Sequence, residues 1–143
     1  MLSRLPRAAS ALVVLIATAT AAVAADSDPH AFATASTLDL RTVGPDEGEH
    51  WSTLWLVVVD DQVYVRLGPR AAGRIEKNTT APYVGLKVIG RQFDRVRGVP
   101  APEYADRVAH AMGEKYWSDL LIRYASHPMT LRLVPEPGPE PPR

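Results

Sequence analysis

The stretch "WSTLWLVVVDDQVYVRL", Trp51 to Leu67, constrains the fold more than any other part of the chain. Two runs rich in β-branched residues flank Asp60 and Asp61. Short polar side chains of this kind tolerate the left-handed backbone that a two-residue hairpin turn requires. After the turn, Val63, Val65 and Leu67 fall on one face of a strand, with Tyr64 and Arg66 on the other. Before it, "WLVVV" is apolar at every position, which predicts a strand buried on both faces. The pair therefore reads as an antiparallel hairpin.

The same alternation recurs along the chain. Ser36 to Gly44 reads as a strand turning Leu38, Leu40 and Val43 to one side. Gly44 to His50, "GPDEGEH", is dense in turn and acidic residues and reads as a loop. A short helix is predicted over Ala71 to Lys77, with Pro82 ending it. In "YVGLKVIG", Val84, Leu86 and Val88 point inward, and Gly90 permits a tight reversal into "RQFDRVRGV". There Arg91, Arg95 and Arg97 share a face with Phe93, and they read as a polar outer face or a dimer contact. From Glu103 the period becomes helical, through Ala105, Val108, Ala109, Met112 and Tyr116. Leu120, Leu121 and Tyr124 extend that stripe beyond a break between Gly113 and Ser118. Met129 to Val134 is a last strand. The expected class is mainly β (α+β): an antiparallel barrel of about six strands, one short helix and a C-terminal helical region.

The ends of the chain have a different character. Arg4 and Arg7 precede an apolar, small-residue run to Ala25 containing Ala22-Val23-Ala24, so residues 1–25 read as a secretory signal peptide. Residues 26–34 read as a flexible lead-in, 35–135 as the folded domain, and 136–143 as a proline-rich, disordered tail. The expected location is periplasmic or secreted, with no stable membrane span after cleavage. The chain of 143 residues contains no cysteine, so the domain is held by its core and not by disulfides.

Charge is unevenly placed. Asp26 to Asp61 holds eight acidic residues and one basic one, whereas Gln62 to Arg97 holds eight basic and two acidic. The basic block either attracts an anionic ligand or pairs with the acidic first third. Without Arg4 and Arg7 the chain carries 14 basic and 16 acidic residues, a formal charge of −2, which argues against nucleic acid.

The segments "LRTVG" (40–44), "STLWLVVVDDQVYVRLG" (52–68), "GRIEKNTTAPYVGLKVIGR" (73–91) and "EKYW" (114–117), in this order, carry a resemblance. The chain resembles the FMN- and deazaflavin-binding split β-barrel superfamily, which includes pyridoxamine-phosphate oxidase-like proteins and deazaflavin-dependent nitroreductases. The resemblance implies a homodimer with FMN or deazaflavin held at its interface, and flavin-type oxidoreductase chemistry on a small molecule. Matched onto this chain, the phosphate would meet Arg66, Arg70, Arg74 and Lys77, and the ring would lie against Trp55 or Tyr83. One departure stands out: Asp46, Glu47 and Glu49 occupy the place where many relatives carry a basic phosphate-binding loop. The cofactor is then held from the other side, or the barrel is a non-catalytic module that has lost it. A haem-binding split barrel is a further alternative.

No residue is marked as catalytic, and no Walker loop, nucleophile elbow or dinucleotide fingerprint occurs. His30, His50, His110 and His127 share no metal-ligand spacing, so no metal site is expected. Trp51, Trp55 and Trp117 read as core or dimer anchors. Asn78-Thr79-Thr80 matches a glycosylation acceptor and reads as an accidental match.

Overall fold

The structure is a computed structural model that describes residues 29–116 and 127–136. Six strands close into an antiparallel barrel: β1 (Thr37–Gly44), β2 (Gly48–Val59), β3 (Gln62–Leu67), β4 (Tyr83–Val88), β5 (Arg91–Pro100) and β6 (Met129–Pro135). Around the barrel the order is β1-β2-β3-β6-β5-β4, and β4 returns to β1. Closure gives every strand a neighbour on both sides, although β2 meets β3 only over Leu56–Val59 and β1 meets β4 only over Asp39–Arg41. The helices are α1 (Pro29–Phe32), α2 (Pro69–Glu76) and α3 (Ala105–Lys115), the last preceded by a 3₁₀ turn at Pro102–Tyr104.

The central hairpin forms as its residues dictate. Asp60 and Asp61 both take positive φ, 49° and 60°, and β2 pairs with β3 in register, Val58 with Val63 and Val59 with Gln62. Val63, Val65 and Leu67 fill the barrel interior with Leu38, Leu40, Leu56, Leu86, Val96, Leu131 and Leu133. On the outer side of the same wall, Val57 and Tyr64 are buried beneath Val108 and Met112 of α3. Two layers therefore meet at Leu56 and Val57, the point at which the apolar run predicts burial on both faces.

Five local expectations change. In β1 the inward third position is Thr42, buried at 2% exposure, because strict alternation from Leu38 and Leu40 turns Val43 outward. The acidic loop is shorter than expected, since β2 already begins at Gly48, whose φ of +74° completes the turn. Helix α2 starts at Pro69, two residues before Ala71, because Pro favours the first helical turn. In β5 the pairing slips: Val84 faces Val96, but Leu86 faces Phe93. This bulge separates Phe93, packed against the core and edge-on to Phe32 at 5.7 Å, from Arg95 and Arg97, which stay exposed. Phe32 belongs to the stretch expected as a lead-in, yet it is buried at 3% exposure. The predicted break near Ser118, the apolar positions Leu120, Leu121 and Tyr124, the leader and the tail beyond 136 lie outside the described residues.

Candidate functional site

Helix α2 and the β1–β2 turn stand side by side at one end of the barrel. The apolar face of α2, Ala71, Ala72 and Ile75, packs against the barrel core. Arg70, Arg74 and Lys77 recur at spacings of four and three, so helical geometry gathers them on the opposite face. Between them Gly73 leaves the helix surface bare, with nothing within 4 Å of a Cβ built there. The result is a cleft of about 370 Å³, walled by Arg70, Gly73, Arg74 and Lys77 on one side and by Thr42, Gly44, Pro45, Asp46 and Glu47 on the other. That volume lies within the range of small-molecule sites, about 300–1,000 Å³.

Glu47 crosses the cleft mouth to Arg74. The Arg74 Nε donates to Glu47 Oε2 at 3.1 Å and its Nη2 donates to Oε1 at 3.0 Å, a two-pronged contact. The bond to Arg74 holds the Glu47 carboxyl below its ordinary pKa, and Glu47 in turn raises that of Arg74. His50 Nδ1 lies 3.3 Å from the same Glu47 Oε1. Arg70 and Lys77 make no ion pair among the described residues. The acidic first third thus supplies a partner for Arg74 and leaves Arg70 and Lys77 facing the cleft.

Beside the cleft, Asn78 fastens the chain just past the end of α2. Its Oδ1 accepts from the Val43 backbone N–H at 3.0 Å and from the Thr80 hydroxyl at 3.0 Å, and its Nδ2 donates to the Tyr83 carbonyl at 2.9 Å. Thr79 N–H donates to the Val43 carbonyl at 2.8 Å. The end of α2 is therefore sewn to the last turn of β1. The pattern Asn-Thr-Thr conveys nothing of this, and with Asn78 buried its side-chain amide is committed to the fold.

The structure brings together Arg70, Arg74 and Lys77, and it places the other three candidate residues elsewhere. Arg66, on β3, has its Nη2 3.1 Å from His127 Nδ1, at the start of the approach to β6. Trp55 stacks on Tyr116 at 4.7 Å, against α3. Tyr83 lies on the β4–β5 wall, where its ring carries the Arg95 guanidinium at 4.0 Å and its hydroxyl accepts from Arg95 at 2.7 Å. None of the three lines the cleft. Arg95 and Arg97 also pair with Glu136.

The remaining polar features tie elements together. Lys115 Nζ donates to the carbonyls of Ala35 and Leu56, at 2.6 and 3.1 Å, and burial pulls its pKa down. The Tyr116 hydroxyl lies 2.7 Å from the carbonyls of Ser36 and Leu56, and burial raises its pKa. The Lys-Tyr pair thus fastens α3 to the barrel. Buried Tyr64 is stacked on Tyr104 at 5.1 Å and accepts from Arg132 Nε at 3.0 Å. Among the described residues no three His, Cys, Asp or Glu are grouped to hold a metal, and no helix is long and apolar enough to cross a membrane.

No family model matches the chain, and no curated protein does. Solved structures do. HutZ, the heme storage protein from Vibrio cholerae, superimposes with a TM-score of 0.57 at 22% identity, over 72% of this chain and 83% of HutZ. A protein of unknown function from Agrobacterium tumefaciens gives 0.62 at 16% identity, covering 89% of this chain and 58% of that protein. A conserved hypothetical protein from Mycobacterium tuberculosis gives 0.56 at 19% identity, over 85% and 82% of the two chains. At these identities the likeness is one of fold. The chain is a closed, six-stranded antiparallel barrel with short helices, and it shares that fold with these structures.

Proposed function

We propose that this protein is an exported split barrel that binds a small anionic cofactor, FMN or deazaflavin in one form of the reading and haem in the other, with the anionic end in the cleft between α2 and the β1–β2 turn. The observation that carries this is the cationic face of α2. Arg70, Arg74 and Lys77 line a cleft of ligand size beside the bare surface of Gly73. Guanidinium forks and an ammonium suit both phosphate and propionate oxygens. At its anionic end the group fits the residues present. At its ring end Trp55 and Tyr83 do not line this cleft, so the ring would have to find its apolar walls on other surfaces. A homodimer is part of the proposal, because a partner barrel is one source of those walls. The likeness to HutZ, a heme storage protein, supports the haem form as well as the resemblance to flavoproteins supports the other.

When bound, a flavin supplies hydride chemistry. The part of this chain would be to hold the anionic end through Arg70, Arg74 and Lys77 and to fix the ligand's direction. The test is the absorption spectrum of the purified mature protein, before and after addition of FMN and of haem. Saturable binding of either, weakened about tenfold or more in Arg70→Ala, is the expected outcome, the scale of one charge-assisted hydrogen bond. A protein that binds neither overturns the proposal.

A second reading has its own observation. Glu47 already satisfies Arg74 across the cleft mouth, as it would in a barrel that has lost its cofactor and serves as a binding or structural module. Under that reading no spectrum changes on addition of either cofactor.

A further inference from the structure

Glu47 presents to Arg74 what a ligand would present: two oxygens on a delocalised anion, met by Nε and Nη2 at 3.0–3.2 Å. It does so from the three-residue turn at the cleft mouth, with its side chain 43% exposed, so withdrawing it breaks no buried packing. His50 lies 3.3 Å from the same carboxylate oxygen, on the side of β2, and offers a second contact when the first is given up. The groups facing this carboxylate are therefore Arg74 of α2, Lys77 at its C-terminal cap and His50 of β2.

We propose that Glu47 is a built-in competitor for the Arg74 fork, and that this competition sets which anions the cleft accepts. The inference rests on the reading of the cleft as an anion site. An incoming monocarboxylate exchanges one singly charged, two-oxygen partner for another and gains little. A phosphate monoester brings a charge of about −1.5 to −2 and three acceptor oxygens, so it can take the fork and still reach Arg70 or Lys77. Glu47 then acts as a specificity-determining residue: it makes phosphate the preferred anionic group and keeps weaker anions out.

The experiment is a spectroscopic titration of the wild-type protein, Glu47→Gln and Asp46→Asn with FMN, haem and riboflavin, which has the flavin ring without the phosphate. Glu47→Gln keeps the size of the side chain and removes the charge; Asp46→Asn removes a charge from the same turn without touching Arg74. The expected result is that Glu47→Gln tightens FMN about tenfold, leaves riboflavin unchanged, narrows the preference for FMN over haem, and exceeds the gain from Asp46→Asn several-fold. Equal gains in the two variants overturn the competition, leaving only the general charge of the turn. An FMN affinity unmoved by Glu47→Gln but weakened by Arg70→Ala overturns it too, with the anion site intact. No binding of any anionic probe to wild type or variants overturns both the competition and the anion site.

Discussion

Asn78 joins segments that lie far apart in the chain, and it does so with one amide. Replacing it with alanine leaves the Val43 N–H without its partner and removes one of the two donors to the Tyr83 carbonyl, the Thr80 hydroxyl remaining at 2.8 Å, in a setting only 8% exposed. The expected loss is about 2–4 kcal/mol, read from urea unfolding, because an orphaned buried donor costs more than a made bond contributes. A change under 1 kcal/mol would show that the end of α2 is held by other contacts. Ile89 is the opposite case. It takes φ of 53° in the β4–β5 turn while 53% exposed, a conformation that suits Asn or Gly far better than a β-branched residue. Ile89→Asn should raise stability by about 1 kcal/mol in the same assay; a loss would mean that Ile89 makes a contact worth the strain. Single residues were also where the sequence was least legible. Arg70, Arg74 and Lys77 could be grouped because helical spacing is local. Trp55 and Tyr83 could not be assigned a side of the barrel relative to α2, since that depends on closure. Glu47 was legible as charge and illegible as a partner, because the reach of its turn to α2 is set by tertiary packing.

Among the elements, α2 is the one in which sequence pattern, packing and the candidate site meet. Its interior Gly73 has room for a methyl group, so Gly73→Ala should stabilise the helix by about 0.5–1 kcal/mol. The same methyl projects into the cleft. The expected pair of outcomes is a higher Tm with weaker binding of FMN or haem; a higher Tm with unchanged binding would move the ligand off this surface. The strands were legible wherever they alternate, as in β3 and β4, and their hairpin turns were legible from Asp60-Asp61 and Gly90. The β5 bulge was not. A one-residue slip leaves no mark in a run where arginines alternate with few apolar residues, so simple alternation groups Phe93 with Arg95 and Arg97, which it does not accompany. The helical period of α3 was plain, and its buried positions Val108 and Met112 are those the stripe selects.

For the molecule as a whole, the expected response to acid comes from surface carboxylates. Glu47, Asp60 and Glu136 are all held below the ordinary carboxylate range, by bonds to Arg74, Arg107 and Arg97 respectively. A carboxylate whose folded pKa is depressed contributes stability above its unfolded pKa, near 4, and loses it as pH falls through the lower folded value. Tm should therefore stay level from neutrality to about pH 5 and then fall. In the triple variant Glu47→Gln, Asp60→Asn, Glu136→Gln the acid fall should be shallower; an identical fall would place its origin in other groups. The barrel that carries these pairs is not equally sewn all round. Strands β1 and β4 meet only over Asp39–Arg41 against Gly85–Lys87, whereas β1 runs beside β2 from Thr37 to Gly44. A hoop parts at its shortest splice, so breathing should begin as a slit between these two staves, on the flank away from α3, and amide exchange should be fastest along it.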